Sequence, residues 1–181
     1  MLLNQMTPLT ITFQNELSTH NRWEASVEPE SITLILQDDE VVTFRKLRAK
    51  AMLPTRGSAG AVGFDLYSPI RISLAPFERF TLQTHIAVKM PESTYGRIAS
   101  RSGLCAREGV ICLGGVIDPD YEGEIMVILI NLDPTEPTSI RKGARVAQLI
   151  LERVHLPLHP SSTHAYSHRG RKCLGEASGI Y

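Results

Sequence analysis

Apolar residues along this chain recur in short runs rather than in long helical stripes. The runs "SITLILQ" from Ser31, "RFTLQTHIAVKM" from Arg79, "EIMVILIN" from Glu124 and "RVAQLILERV" from Arg145 are rich in Val, Ile, Leu and Thr. Such residues suit a pleated surface with one side buried, so each run predicts a strand. Turn-forming segments such as "PTRGSAG", "MPEST" and "DPTEPTS" separate them. The helix the pattern predicts is a turn or two at "SGLCAREG", with Ser102 as its N-cap. The basic "RKLRAK" from Arg45 reads as a strand with a charged outer face, Leu47 and Ala49 alternating inward. Together these elements predict an all-β sandwich or jelly roll, its edges covered by oligomerisation or strand exchange.

Composition narrows the function. The 181 residues, 43% of them hydrophobic, are enough for one domain with a modest extension. Nineteen basic residues balance nineteen acidic ones, so no global field attracts nucleic acid or an anionic membrane. Phosphate recognition, if present, is therefore local, and direct nucleic-acid binding is not expected. The three cysteines, Cys105, Cys112 and Cys173, have no metal-type pairing and read as reduced thiols. No basic leader with an apolar run opens the chain, and no window has the length of a membrane span. These features predict a soluble, intracellular protein of cytoplasm or nucleus.

Tone changes at both ends. Residues 1–40 are more polar and lack dense glycine turns, as expected of an extra hairpin or a partner-binding extension. Residues 41–163 carry the β pattern. The tail 164–181, "HAYSHRGRKCLGEASGIY", is glycine-rich, poor in core residues and expected to be a mobile arm.

Four stretches carry candidate chemistry. In "TRGSAGAVGFDLYS" the glycines permit close backbone approach and Asp65 follows them, although a plain turn into a strand has the same composition. In "GRIASRSGLCAREG", Arg101, Ser102 and Gly103 offer a guanidinium fork, a hydroxyl and an open backbone amide, the parts of a phosphate cradle. An N-cap beside a solvated arginine reads equally well. "GGVIDPDYEGEI" predicts a tight hairpin loaded with acids. There Asp118 follows two β-branched residues that could hold its carboxylate against a water, and Tyr121 could lie beside a sugar or base; both aspartates are also ordinary turn-formers. In "KGARVAQLILERV" the polar Gln148 interrupts an apolar strand and needs a partner, from a core network, a ligand or a second subunit. Four histidines, His155, His159, His164 and His168, do not make a metal site, because Pro157 and Pro160 exclude a regular helix between the first pair.

Taken in order, these motifs resemble those of the homotrimeric deoxyuridine triphosphatase (dUTPase) family, from about Val42 to the C-terminus. "AVGFDLYS" resembles the first motif, "GRIASRSGLCAREG" the second, "GGVIDPDYEGEI" the third and "GARVAQLI" the fourth, while "RGRKCLGEASG" stands in place of the fifth. The resemblance implies a dUTPase-like jelly-roll (β-clip) subunit in a homotrimer whose sites are shared between subunits. It implies hydrolysis of dUTP to dUMP and pyrophosphate, with Asp118 the general base for a water and Asp65 a support of the catalytic centre. Arg101, Ser102 and Gly103 would hold phosphates with Gln148 assisting. Gly115, Val116, Ile117 and Met126 would line the uracil-reading hairpin, and Tyr121 would pack beneath the deoxyribose and exclude a 2′-hydroxyl. Mg²⁺ would ride on the triphosphate, with no direct protein ligand.

The fifth motif departs from the family pattern. Arg169, Gly170 and Gly175 fit, but Cys173 replaces a glycine, Leu174 the aromatic, and Glu176 with Ala177 a Ser-Thr pair. Losing the ring forfeits stacking on the order of 1–3 kcal/mol, and Glu176 sets like charge against phosphate. Ser100 stands where proline is usual, which predicts a looser turn. An active enzyme with a divergent arm is the reading the motifs favour. A dUTPase-derived binding protein, of the kind expected in viral and mobile-element genomes and using residues 1–40 as its partner surface, is the alternative. A dCTP deaminase, of similar fold, lacks support from "SRSGLCAREG" and "GVIDPDY".

Overall fold

A computed structural model describes residues 11–12, 30–36 and 39–155. Across these residues the chain forms β1 (Ile11–Thr12), β2 (Ser31–Ile35), β3 (Val41–Lys46), β4 (Gly63–Tyr67), β5 (Ile72–Leu74), β6 (Arg79–Gln83) and β7 (Ile86–Lys89). Then follow β8 (Thr94–Ser100), α1 (Ser102–Glu108), β9 (Val110–Leu113), β10 (Val116–Ile117), β11 (Met126–Asn131), β12 (Thr138–Ile140) and β13 (Arg145–Arg153). The predicted β class holds, and each predicted strand run contains a strand. No helix among the described residues is long and apolar enough to cross a membrane.

The strands join in four sheets, β1-β2-β3-β7, β10-β8-β13-β4, β6-β11-β9 and β12-β5, all paired antiparallel. Alternation explains their faces. In β11 the burial runs half-buried then buried at every step, so Val127, Leu129 and Asn131 point inward. Leu66, Leu74, Leu82, Val127, Leu129, Val146 and Leu149 meet in one fully buried core. Phe44 of β3 and Phe64 of β4 join the first two sheets there, their rings 5.1 Å apart and tilted at 56°. Strand β2 falls within the first forty residues, pairs with β3 from Ser31↔Arg45 to Ile35↔Val41, and contributes buried Leu34 to the core.

Three local expectations change. The run from Arg79 is two strands, because His85 takes a left-handed φ of 60° and turns β7 out of the β6 sheet into the β3 sheet. The strand at "RKLRAK" stops at Lys46; beyond it Leu47 and Ala49 are exposed in a turn. Ser102 is not the helix cap. Arg101 holds the N-cap position in an extended conformation (φ −90°, ψ 122°) with no capping side-chain bond, so Ser102 begins the helix itself. At the other end Gly109 closes α1 in the left-handed conformation, φ 63°, its N–H donating to the Cys105 carbonyl.

Candidate active site

The β10-β8-β13-β4 sheet brings the first, second and fourth stretches together. Gln148 of β13 lies opposite Asp65 of β4 on one side and Ala99 of β8 on the other. The end of β8 therefore delivers Arg101 to the level of Asp65. Asp65 is buried, 8% exposed, and its carboxylate is divided between two guanidiniums. Oδ1 accepts from Arg101 Nη1 at 2.6 Å and Oδ2 from Arg145 Nη1 at 3.3 Å, while the Asp65 N–H donates to the Thr55 carbonyl at 2.7 Å. A carboxylate so occupied orients cations rather than water. Arg145 was missed in the sequence, although it opens the strand that carries Gln148, three residues away.

Gln148 is half-buried rather than buried, and its amide finds a partner inside the chain: Nε2 donates to the Ser100 carbonyl at 3.2 Å. Its Oε1 lies 2.7 Å from where a Cβ on Gly63 would sit, so glycine at 63 makes room for this side chain. Ser100 ties the structure instead of loosening it. Its Oγ accepts the Cys112 N–H at 2.8 Å and fastens β8 to β9. Burial pushes the neighbouring Cys112 thiol up to about 11, against a smaller opposing pull from Ser100. Next along the chain, Ser102 is exposed and Gly103 half-buried, and the Arg107 guanidinium folds back over Gly103, Nη1 3.1 Å from its Cβ position. A second exposed cation thus flanks the cradle.

The third stretch is an open arch, not a tight hairpin. Strands β9 and β11 pair with each other, Leu113 opposite Ile128, while β10 between them leaves to pair with β8. The crossing needs left-handed backbone at Gly114 (φ 64°) and Gly115 (φ 103°). At Gly115 a Cβ would stand 2.8 Å from the Ile98 carbonyl oxygen, and the Gly115 carbonyl accepts the Ile98 N–H at 2.7 Å. Beyond the crossing Val116 is exposed, Ile117 is buried, and Asp118 and Met126 are half-buried. Tyr121 packs partly against the core; its N–H donates to the Asp118 carbonyl at 3.0 Å and its hydroxyl to the Glu124 carbonyl at 2.8 Å. Gly123 leaves space for the ring, since a Cβ there would come within 2.6 Å of it.

The two halves of the candidate site lie apart within one chain. Val116 pairs with Arg97 and Ile117 with Gly96. Extending that antiparallel register sets Asp118 level with Tyr95, at the opposite end of β8 from Arg101. At about 3.3 Å per residue the separation is on the order of 20 Å. Among the described residues no three acids, histidines or cysteines converge on a metal position. His159, His164 and His168 and the fifth stretch, with Arg169, Leu174 and Gly175, lie outside the described residues.

A model of the dUTPase family matches residues 49–178, a span that encloses the first four stretches and all but the last residue of the fifth, and starts after the expected Val42. The chain belongs to the dUTPase family. A deoxyuridine 5′-triphosphate nucleotidohydrolase of Corynebacterium efficiens is 42% identical over 130 residues, 71% of this chain and 72% of that protein. The Saccharomyces cerevisiae enzyme of the same name is 42% identical over 116 residues, covering 64% of this chain and 78% of its own. In fold, a mutant dUTPase from phage phi11 of S. aureus matches 68% of this chain and 97% of its own with a TM-score of 0.61, at 22% identity. The strands described above are thus a dUTPase jelly roll. Strand β2 and its pairing partner β3 precede the matched span.

Proposed function

We propose that this dUTPase hydrolyses dUTP to dUMP and pyrophosphate. The observation that carries the reading is the family match over residues 49–178, a span that contains Asp65, Arg101, Asp118 and Gln148 of the first four motifs. Asp118 takes a proton from water. The water oxygen bonds to the α-phosphorus, the bond from that phosphorus to the α,β-bridging oxygen breaks, and pyrophosphate leaves with the electron pair. Arg101, Ser102 and Gly103 hold phosphate oxygens, Gln148 assists, and Asp65 works through the guanidiniums it fixes. Gly115, Val116, Ile117 and Met126 line the uracil side, and Tyr121 backs the sugar. Arg169, Leu174 and Gly175 of the fifth stretch complete the set of substrate-binding residues that the family resemblance implies. Removing dUTP in this way limits uracil incorporation into DNA.

A backbone separation on the order of 20 Å along β8 supports a shared site, in which one copy supplies Asp118 and another Arg101, as a homotrimer allows. Mg²⁺ fits this arrangement through the substrate. A hard and reluctantly dehydrated ion would draw its ligands mainly from triphosphate oxygens and water. When bound it supplies charge neutralisation; the protein groups above bind, orient and take the proton.

The test is pyrophosphate release from dUTP with Mg²⁺, beside dCTP, dTTP and UTP. Wild type should turn over dUTP selectively, and Asp118→Asn should lose on the order of 10²–10⁴ in kcat. A well-folded wild type without dUTP turnover would sink the proposal.

A further inference from the structure

The break between β6 and β7 is built around a side chain in an unfavourable backbone state. His85 has φ 60°, a region in which a residue with a Cβ is strained and glycine is the usual occupant. It is also buried, 8% exposed, in a position with no role in the chemistry above. What offsets the strain is Glu124, across the fold at the end of the arch. Glu124 Oε1 accepts the His85 N–H at 2.7 Å and lies 3.0 Å from the ring Nδ1. The contact assigns a ring proton to Nδ1, which can then donate to the carboxylate oxygen.

Neighbouring bonds make this contact a clamp. Thr84 Oγ1 donates to the Ile125 carbonyl at 2.6 Å and accepts the Ile86 N–H at 3.2 Å. The Ile125 N–H donates to the Ile86 carbonyl at 2.8 Å, and the His85 carbonyl accepts the Leu47 N–H at 2.8 Å. Glu124 is therefore held from both sides. Its side chain is gripped by His85, and its carbonyl receives the Tyr121 hydroxyl at 2.8 Å. The Tyr121 N–H in turn donates to the Asp118 carbonyl. A continuous chain of hydrogen bonds runs from His85 through Glu124 and Tyr121 to Asp118.

We propose that His85 is a positioning residue: through Glu124 it sets the place of Tyr121 in the arch, and with it the preference for deoxyribose over ribose. This rests on the dUTP hydrolysis proposed above. The informative substitution is His85→Gly. It removes the ring contact while relieving the backbone strain and keeping the N–H, so folding and chemistry separate. Its melting midpoint should stay within a few degrees of wild type. Its kcat/KM for dUTP should fall on the order of tenfold, less than the about 10²-fold that a 1 Å misplacement can cost, and its dUTP-over-UTP preference should narrow. His85→Asn, which tolerates left-handed backbone and offers an amide N–H, should recover part of that preference. Glu124→Ala should narrow it too, and the double variant His85→Gly/Glu124→Ala should be no worse than Glu124→Ala alone. Amide exchange over residues 118–125 reads the same clamp without turnover and should quicken in His85→Gly. A folded His85→Gly with wild-type nucleotide preference and unchanged exchange overturns the inference. Absence of turnover in wild type overturns the functional reading, and the sugar-preference claim with it, while exchange still decides whether His85 orders the arch.

Discussion

Asp65 and Asp118 are both acids in motif positions, yet their surroundings differ. Asp65 is buried and divided between Arg101 and Arg145. Removing its charge leaves the mostly buried Arg101 and the half-exposed Arg145 with a neutral partner. Asp65→Asn should lower unfolding stability by about 2 kcal/mol, the scale of a hydrogen bond to a charged group. It should also raise KM for dUTP as Arg101 loses its fixed direction. A denaturant titration with an unchanged slope, followed by steady-state kinetics, checks both; wild-type stability and KM would show that the pairing is incidental. The two acids were legible in the sequence as residues, because glycines and β-branched neighbours marked their turns. The partners of Asp65 were not, since Arg145 reaches it across 80 positions of chain.

At the scale of elements, alternation identified the strand runs, but it could not show where a run breaks. Nothing in the spacing of "RFTLQTHIAVKM" marks His85, whose φ is sustained by the distant Glu124. The helix was legible from "SGLCAREG", while its cap was misassigned because capping depends on backbone angles at Arg101 and not on the presence of a serine. The arch illustrates the same limit. Its glycine pair marked a turn, yet the sheet crossing exists because β10 finds β8. Gly115→Ala should therefore cost more than a turn substitution, about 1–3 kcal/mol. Both the φ of 103° and the Ile98 carbonyl oppose a Cβ. Chemical denaturation measures the loss, and an unaltered midpoint would mean that the arch is free to re-route.

In the whole molecule, the separation of Asp118 from Arg101 along β8 predicts that activity depends on assembly. Asp118→Asn and Arg101→Ala should each be inactive alone. Chains of the two variants, unfolded and refolded together, should regain a fraction of the wild-type rate, because some sites then combine an intact arch from one chain with an intact cradle from another. Refolding each variant separately before mixing is the control. No recovery on joint refolding, with mixed oligomers present, would argue that each chain completes its own site.

By itself the sequence determined the β class, the strands β2, β6, β7, β11 and β13, the order of the motifs and through that order the family. Those properties reside in local residue choice: β-branched alternation, glycine where backbone must turn, acids and arginine at set spacings. Only the tertiary structure decided that Asp65 holds two arginines, that His85 meets Glu124 at the end of the arch, and that Asp118 and Arg101 lie toward opposite ends of β8. These follow from strand register and from contacts between residues far apart in the chain, and no local pattern encodes which strand a segment will pair with.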